Sequence, residues 1–347
     1  MNTSSALRVG VIGCGQWGMN YVRVFSELRE AKLAGVFEVD PARVALTQER
    51  FPSVKIYGNI DELLRASDAA VIATPAVTHY TLARRALEQD RHVLVEKPIT
   101  VEVEDAEALV ELAESTKRVL MVGHTFLFNP AVRALKTYVD SPDFGRTYYI
   151  QATRTNLGPI RKDVNAVWDL ATHDISIANF ILGAEPVKVS AVGARFLGNP
   201  REDLAFINLH YPGDLLCNIH VSWADPNKVR RITVVGSNQR IVFDDLDASE
   251  PIRIFEKGVS PVRTEVDSFG EFKLLVRDGA IISPKVEASE PLKNLCQHFV
   301  QCVVQGEVPL THGRHGAEIV RILKAIGASI QSGSSIQALD VRSGSRV

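Results

Sequence analysis

Cysteine is scarce in this chain. Its 347 residues hold four, Cys14, Cys217, Cys296 and Cys302. They are too few and too scattered for a disulfide framework or a zinc site, and none forms a C-x-x-C pair. Four reduced thiols, in a cytoplasmic protein with no bound metal, are the expectation. Long apolar runs are also missing: nothing approaches the ~18 residues of a membrane span. Residues 1–7 (MNTSSAL) lack the basic and apolar regions of a signal peptide. Nor is there an excess of charge of one sign, since 39 Lys and Arg against 41 Asp and Glu leave a net charge of −2. That balance argues against nucleic-acid binding, which needs a basic face. What remains is an ordinary globular composition, 46% hydrophobic and 23% charged. The length suits about two domains.

The first 125 residues alternate apolar runs with amphipathic stretches. Arg8–Ile12, Leu33–Val39, Ala69–Ala73, His92–Val95 and Val119–Val122 read as strands buried on both faces of a parallel sheet. Helical patterns lie between them at Gln16–Leu28, Val77–Glu88 and Val103–Ala113, the first with Trp17, Tyr21, Val24 and Leu28 on one stripe. Asp40-Pro41 reads as a helix cap. The alternation predicts an α/β, doubly wound parallel sheet over 1–125. After a helix at Pro130–Val139 the pattern changes. Thr147–Thr155, Val187–Phe196, Leu204–Tyr211, Leu215–Trp223, Val229–Val235 and Arg240–Phe243 have strand character, separated by turn signals, with a further hairpin turn at Arg277–Ala280. Helices are expected at Trp168–Leu182, Leu292–Val304 and Gly313–Ser332. Residues 126–347 are therefore expected to form an α+β substrate-binding and oligomerisation domain on a large, mostly antiparallel open sheet, with the segment from Gly333 onward fraying.

Gly13-Cys14-Gly15-Gln16-Trp17-Gly18 fits G-x-G-x-x-G, after a strand-like run and at the opening of a helix. Gly13 would make the tight turn, Gly15 would let a pyrophosphate approach, and Gly18 would allow close helix–strand packing. Gln16 and Trp17 complete the loop. Glu38, twenty residues on, suits the ribose hydroxyls and repels a 2′-phosphate, which favours NAD over NADP. Asp40 is a rival acid better explained as a cap. A ligand-free turn, or a methyltransferase with a similar loop, stays open at this point.

His92-Val93-Leu94-Val95-Glu96-Lys97-Pro98 carries more. An apolar strand ends in Glu-Lys-Pro, placing Lys97 beyond a strand's carboxyl end, where such sheets bind ligands. With Thr74-Pro75 and His79, this resembles the glucose-fructose oxidoreductase, inositol 2-dehydrogenase and MocA family of NAD(P)-dependent sugar and cyclitol dehydrogenases. The resemblance covers essentially the whole chain and counts His92–Val95 as the fifth strand, Thr74 as the end of the fourth and His124 as the end of the sixth. It implies that Thr74, Pro75, His79, Glu96 and Lys97 serve the cofactor, that Lys97 contacts the reacting hydroxyl, and that Glu96 orients its neighbours. A neutral amine at Lys97 would help to polarise or deprotonate that hydroxyl.

Asp169 and His173, four apart at a helix start, share one face. They look like the family's D-x-x-x-H motif, in which the histidine is the general base. An imidazole suits that role because it titrates near working pH. Asp169 would bind a substrate hydroxyl or orient Lys97, and Asp174 is expected to be structural. With Lys97 in the first domain and His173 in the second, the active site is expected in the cleft they share. The loop from Thr153 to Asp163 supplies cations and amides for an anionic or polyhydroxylated substrate. Arg154, Asn156, Arg161 and Asn165 are the substrate-binding candidates. G-P-I-R-x-D-V-N before W-D-L-x-x-H-D resembles the family's nucleotide-sugar branch, which oxidises C3 of UDP-N-acetylglucosamine or its uronate. A free-sugar or inositol dehydrogenase, or a non-catalytic NAD-binding regulator, is the alternative. His312 and His315 lack acidic or thiol companions and read as capping rather than metal-binding. His124 is placed near the nicotinamide, although Thr125–Phe128 departs from the family's usual arginine or tyrosine. Alternating apolar residues on both faces of the second domain's sheet, with His210, His220 and Trp223 breaking the polar-out pattern, predict a homodimer or homotetramer.

Overall fold

The computed structural model describes residues 6–158, 160–161, 164–198, 200–261, 274–277 and 279–339. Pro159, Lys162 and Asp163 of the substrate loop, Asp278 of the expected hairpin turn, residues 1–5 and residues 340–347 of the expected frayed tail lie outside these. The chain forms two compact units, 1–128 with 289–321, and 129–288 with 322–347. Residues 289–321, assigned from sequence to the second domain, thus belong to the first unit.

The first unit holds a parallel sheet of β1 (Leu7–Ile12), β2 (Ala31–Phe37), β3 (Ala69–Ile72), β4 (His92–Val95) and β5 (Leu120–Val122), in the order β2-β1-β3-β4-β5. β3 is buried along its whole length, as a strand covered on both faces must be. Helices α1 (Gln16–Glu27), α2 (Pro41–Arg50), α3 (Ile60–Ala66), α4 (His79–Glu88) and α5 (Val103–Thr116) connect the strands. Asp40 caps α2 by accepting the Ala42 N–H at 2.9 Å, and Pro41 takes the first helical position. Helix α3 carries no signal that the sequence reading used.

His92–Val95 is the fourth full strand rather than the fifth. Beyond β2, however, Ile56 forms a parallel bridge with Val36, with the Val36 N–H donating to Lys55 O and the Tyr57 N–H to Val36 O, both at 2.9 Å. Counting that one-residue strand restores the 3-2-1-4-5-6 order of a doubly wound dinucleotide fold, and with it the expected numbering. At the other edge the chain's late segment closes β5. The Val122 N–H donates to Thr311 O at 2.8 Å, Thr311 Oγ1 donates to Val122 O at 2.6 Å, and Met121 bridges His312.

The second unit begins with α6 (Pro130–Asp140) and is built on a nine-stranded sheet. In chain order its strands are β6 (Thr147–Thr155), β7 (Lys188–Ala194), β8 (Leu204–Tyr211), β9 (Leu215–Ser222), β10 (Val229–Gly236), β11 (Arg240–Asp244) and β12 (Ile252–Phe255). A separate pair, β13 (Gly258–Pro261) and β14 (Leu274–Arg277), follows, and then β15 (Ile281–Ile282) and β16 (Gln337–Ala338). The sheet runs β15-β12-β11-β10-β6-β9-β8-β7-β16. All its pairings are antiparallel except β6 with β9. One face is apolar. Ala191, Ile207, Ile219, Ala152 and Ile232 form a buried row across five strands. Helices α6 and α7 (Thr172–Leu182) pack on the unit's sheet. Helix α8 (Pro291–Gln305) belongs to the first unit, whereas α9 (Gly313–Gln331) starts in the first and ends in the second.

Candidate active site

The glycine loop joins β1 to α1. Gly13 has φ +91°, a conformation that favours glycine, and a Cβ there would lie 2.7 Å from Thr74 Cγ2. A Cβ on Gly18 would stand 1.8 Å from Gly13 O, so helix and strand touch where the motif requires it. Gly15 is different: its hypothetical Cβ meets only the Arg43 guanidinium, at 3.4 Å. Gly15 caps α1 without a side-chain hydrogen bond. The loop thus leaves room above Gly15, beside backbone N–H groups at a helix N-terminus, which is the cradle a pyrophosphate needs. Trp17 is 43% exposed and does not join the buried stripe of Tyr21, Val24 and Leu28.

Glu38 stands just past β2, its carboxylate turned into the loop. Oε2 accepts the Cys14 N–H at 2.6 Å, and Oε1 accepts the Val39 and Asp40 N–H groups at 2.8 and 3.0 Å. Arg43 lies 4.0 Å from Glu38 and 3.5 Å from Asp40. Sequence reasoning missed Arg43, although it sits one turn into the helix that Asp40 caps.

Lys97 follows β4 directly. Its backbone N–H donates to Glu96 Oε2 at 3.1 Å, while Glu96 Oε1 accepts the Tyr21 hydroxyl at 2.7 Å. Glu96 is buried and ties the strand end to α1. Burial, with Glu96 beside it, pushes the Tyr21 phenol well above its usual range, so the hydroxyl stays protonated and donating. The Lys97-Pro98 peptide is cis. His79 is 1% exposed. Its Nδ1 lies 2.7 Å from Pro98 O and its Nε2 2.9 Å from Thr74 O. Both nitrogens face backbone carbonyls, so His79 ties together the ends of β3 and β4. Thr74 Oγ1 pairs with Thr78 Oγ1 at 2.7 Å. His124, past β5, is buried against His315, with ring centroids 5.2 Å apart. Burial, then His315 and Lys97, hold it well below the usual histidine range. His312 Nδ1 accepts the His315 N–H at 3.2 Å, which is the expected capping role. Among the described residues no group of His, Cys, Asp and Glu side chains is arranged to hold a metal.

In the second unit, α7 is preceded by a π-helical turn, Val167–Ala171, a feature frequent at functional sites. Asp169 sits on that turn and His173 begins the α-helix proper. Asp169 Oδ1 accepts from Arg161 at 3.3 Å and Oδ2 from Trp223 Nε1 at 3.4 Å. Asn165 starts the turn, with its Oδ1 accepting the Trp168 N–H at 3.0 Å and its amide donating to Glu202 at 2.9 Å. Asn156 is half-buried, its N–H donating to Ser222 O at 3.0 Å.

Arg154 departs from the expectation of a substrate-binding cation. It is 3% exposed, and its Nε and Nη2 donate to both oxygens of Asp174 at 2.9 and 2.8 Å. It lies on the apolar face of β6 with Ile150 and Ala152, and the buried neighbour of His173 compensates its charge. The pair braces the start of α7. Trp223 is buried as well and backs Asp169 instead of interrupting the sheet's outer face.

Family models bear on the whole arrangement. The oxidoreductase family with an NAD-binding Rossmann fold, GFO/IDH/MocA, matches residues 7–124, and the GFO/IDH/MocA C-terminal domain matches residues 132–242. The chain belongs to the GFO/IDH/MocA oxidoreductase family. It is similar to UDP-N-acetylglucosamine 3-dehydrogenase of Acidithiobacillus ferrooxidans, 31% identical over 264 residues, which are 74% of this chain and 79% of the relative. It is also similar to scyllo-inositol 2-dehydrogenase (NAD(+)) of Bacillus subtilis, 25% identical over 97% of each chain. A solved structure of the Acidithiobacillus enzyme superposes with a TM-score of 0.79 at 24% identity, over 94% of this chain and 100% of that one, a likeness of fold. The protein is therefore an NAD-binding oxidoreductase of the GFO/IDH/MocA family. Its glycine cradle fits the dinucleotide: Gly13, Gly15 and Gly18 shape the loop, and Glu38 stands beside it. No helix among the described residues is long and apolar enough to cross a membrane.

Proposed function

We propose that this GFO/IDH/MocA oxidoreductase is an NAD-dependent dehydrogenase of a nucleotide sugar, oxidising the C3 hydroxyl of a UDP-N-acetylhexosamine or its uronate. The observation that carries the reading is the 31% identity to a UDP-N-acetylglucosamine 3-dehydrogenase over 79% of that enzyme's length. The Arg161–Asp169 pair next to the π turn supports it, since a guanidinium there suits an anionic substrate. NAD bound at the glycine loop supplies the hydride acceptor. His173 takes the hydroxyl proton on its imidazole, and Lys97 Nζ holds and polarises the hydroxyl oxygen. Asp169 positions substrate through its carboxylate. Glu38 selects NAD over NADP because its negative charge opposes a 2′-phosphate. The four free, buried cysteines suit a cytoplasmic compartment. Copies of the chain pair through the outer face of the nine-stranded sheet, as a homodimer or homotetramer.

Assays of NADH formation against UDP-sugars, free sugars and cyclitols test the substrate. On the substrate so found, His173→Asn lowers kcat by about 10²–10⁴ while NAD binding stays intact, because a positioned general base contributes that much. Lys97→Ala is comparably damaging. If both variants keep near-wild-type turnover, the acid–base assignment fails and a regulator on this fold becomes the better reading.

A further inference from the structure

His79 presents a proton-counting problem. Nδ1 is 2.7 Å from the carbonyl oxygen of Pro98, and Nε2 is 2.9 Å from that of Thr74. Carbonyl oxygens only accept. A neutral imidazole has one N–H and one bare nitrogen, so a neutral His79 would press a lone pair against one of the two oxygens whichever tautomer it chose. The ring is 1% exposed, which leaves water little access to relieve that contact, and a buried carbonyl without a donor is costly.

We infer that His79 is a buried imidazolium that staples the carboxyl ends of β3 and β4 together and so positions Lys97. With both nitrogens protonated, each carbonyl receives a charge-assisted hydrogen bond. Those two carbonyls belong to Thr74, two residues beyond β3, and to Pro98, the residue after Lys97. One ring thus fixes the backbone on both sides of the crevice in which a doubly wound sheet binds its ligand. The position works against the charge in two respects, because burial disfavours a charged ring and because His79 opens α4, whose N-terminus is electropositive. Against both stand two short contacts to carbonyl oxygens, each of which only a protonated nitrogen satisfies. His79 is a positioning residue, acting through the Lys97-Pro98 backbone, and its catalytic consequence rests on the dehydrogenase reading. Its charge state does not.

The charge is read by nitrogen NMR of the ligand-free protein carrying ¹⁵N-labelled histidine, with the His79 signals assigned by their loss in a His79→Gln variant. An imidazolium gives two ring nitrogens resonating together, both protonated, at neutral pH. One protonated and one bare nitrogen would overturn the inference, whatever the enzyme's substrate. His79→Gln lowers kcat by about 10–100-fold with NAD affinity little changed, because small misplacement of a reacting group costs that much. Unchanged kcat in a folded His79→Gln variant would remove the positioning role. If that variant does not fold, through-bond correlation of the ring nitrogens to the assigned His79 backbone identifies the same signals in the wild-type chain.

Discussion

Glu38 spends its carboxylate on three backbone N–H groups, so it shapes the glycine loop in addition to the ribose-binding role proposed for it. Glu38→Ser is expected to narrow the preference for NAD over NADP and also to weaken NAD itself, because Cys14, Val39 and Asp40 lose their acceptor. Titration of both cofactors into wild type and variant measures this, and equal affinity in the wild type would defeat the selectivity argument. The identity of Glu38 was legible from its spacing to Gly18. Its posture was not, since nothing local in the sequence says which way a strand-end carboxylate turns. Arg154 shows the opposite failure. Read as a loop cation it suits a substrate, yet it follows Ile150 and Ala152 at a period of two, and that alternation already marks it as facing the core. Trp223 carries the same signal, after Cys217, Ile219 and Val221.

At the scale of the element, the π turn and α7 are held by contacts that come from distant parts of the sequence. Arg154 on β6 meets Asp174, Trp223 beyond β9 meets Asp169, and Glu202 meets Asn165. The D-x-x-x-H spacing revealed the helix, and most strand runs were legible to within a residue or two because their apolar periods are clean. The bracing was hidden because it depends on register between strands. Removing one partner of a buried ion pair leaves an uncompensated charge and costs about 3–5 kcal/mol. Asp174→Asn should therefore destabilise the protein by roughly that amount, seen as a lower midpoint in urea unfolding. The double variant Arg154→Met with Asp174→Leu should recover much of the loss. Non-recovery would mean that the pair does more than compensate charge.

At the scale of the whole molecule, two partly buried histidines of the first unit tie stability to pH. Burial first, then Arg118 for His92 and His312 for His315, hold both down to about 4. Unfolded, they titrate at about 6.5, so between those values the unfolded chain binds more protons and stability falls as the pH drops. Each contributes a slope of up to ~1.4 kcal/mol per pH unit. Urea unfolding at about pH 7.5 and about pH 5 should show the loss, and His315→Gln should reduce it. The outer face of the large sheet predicts association. Tyr149, Phe206, Leu216 and Val192 there are 45%, 45%, 45% and 54% exposed, and Phe206 stacks on His220 with centroids 4.5 Å apart. Light scattering should report a dimer or tetramer, and Phe206→Glu should shift it toward monomer. A wild-type monomer at micromolar concentration would reject pairing through this face.

The interleaving of the two units along the chain sets a schedule for synthesis. The five strands of the first sheet leave the ribosome early, but β5 keeps an open edge until Thr311 and His312 arrive almost two hundred residues later. The second unit is in the same position, because its β7 edge waits for Gln337 and Ala338. Neither unit reaches its final form until residues up to 338 have emerged, so the chain before them emerges with pairing-competent strands exposed. Completion waits on residues 289–338. Those residues decide whether the growing polypeptide closes on itself or is left to a chaperone.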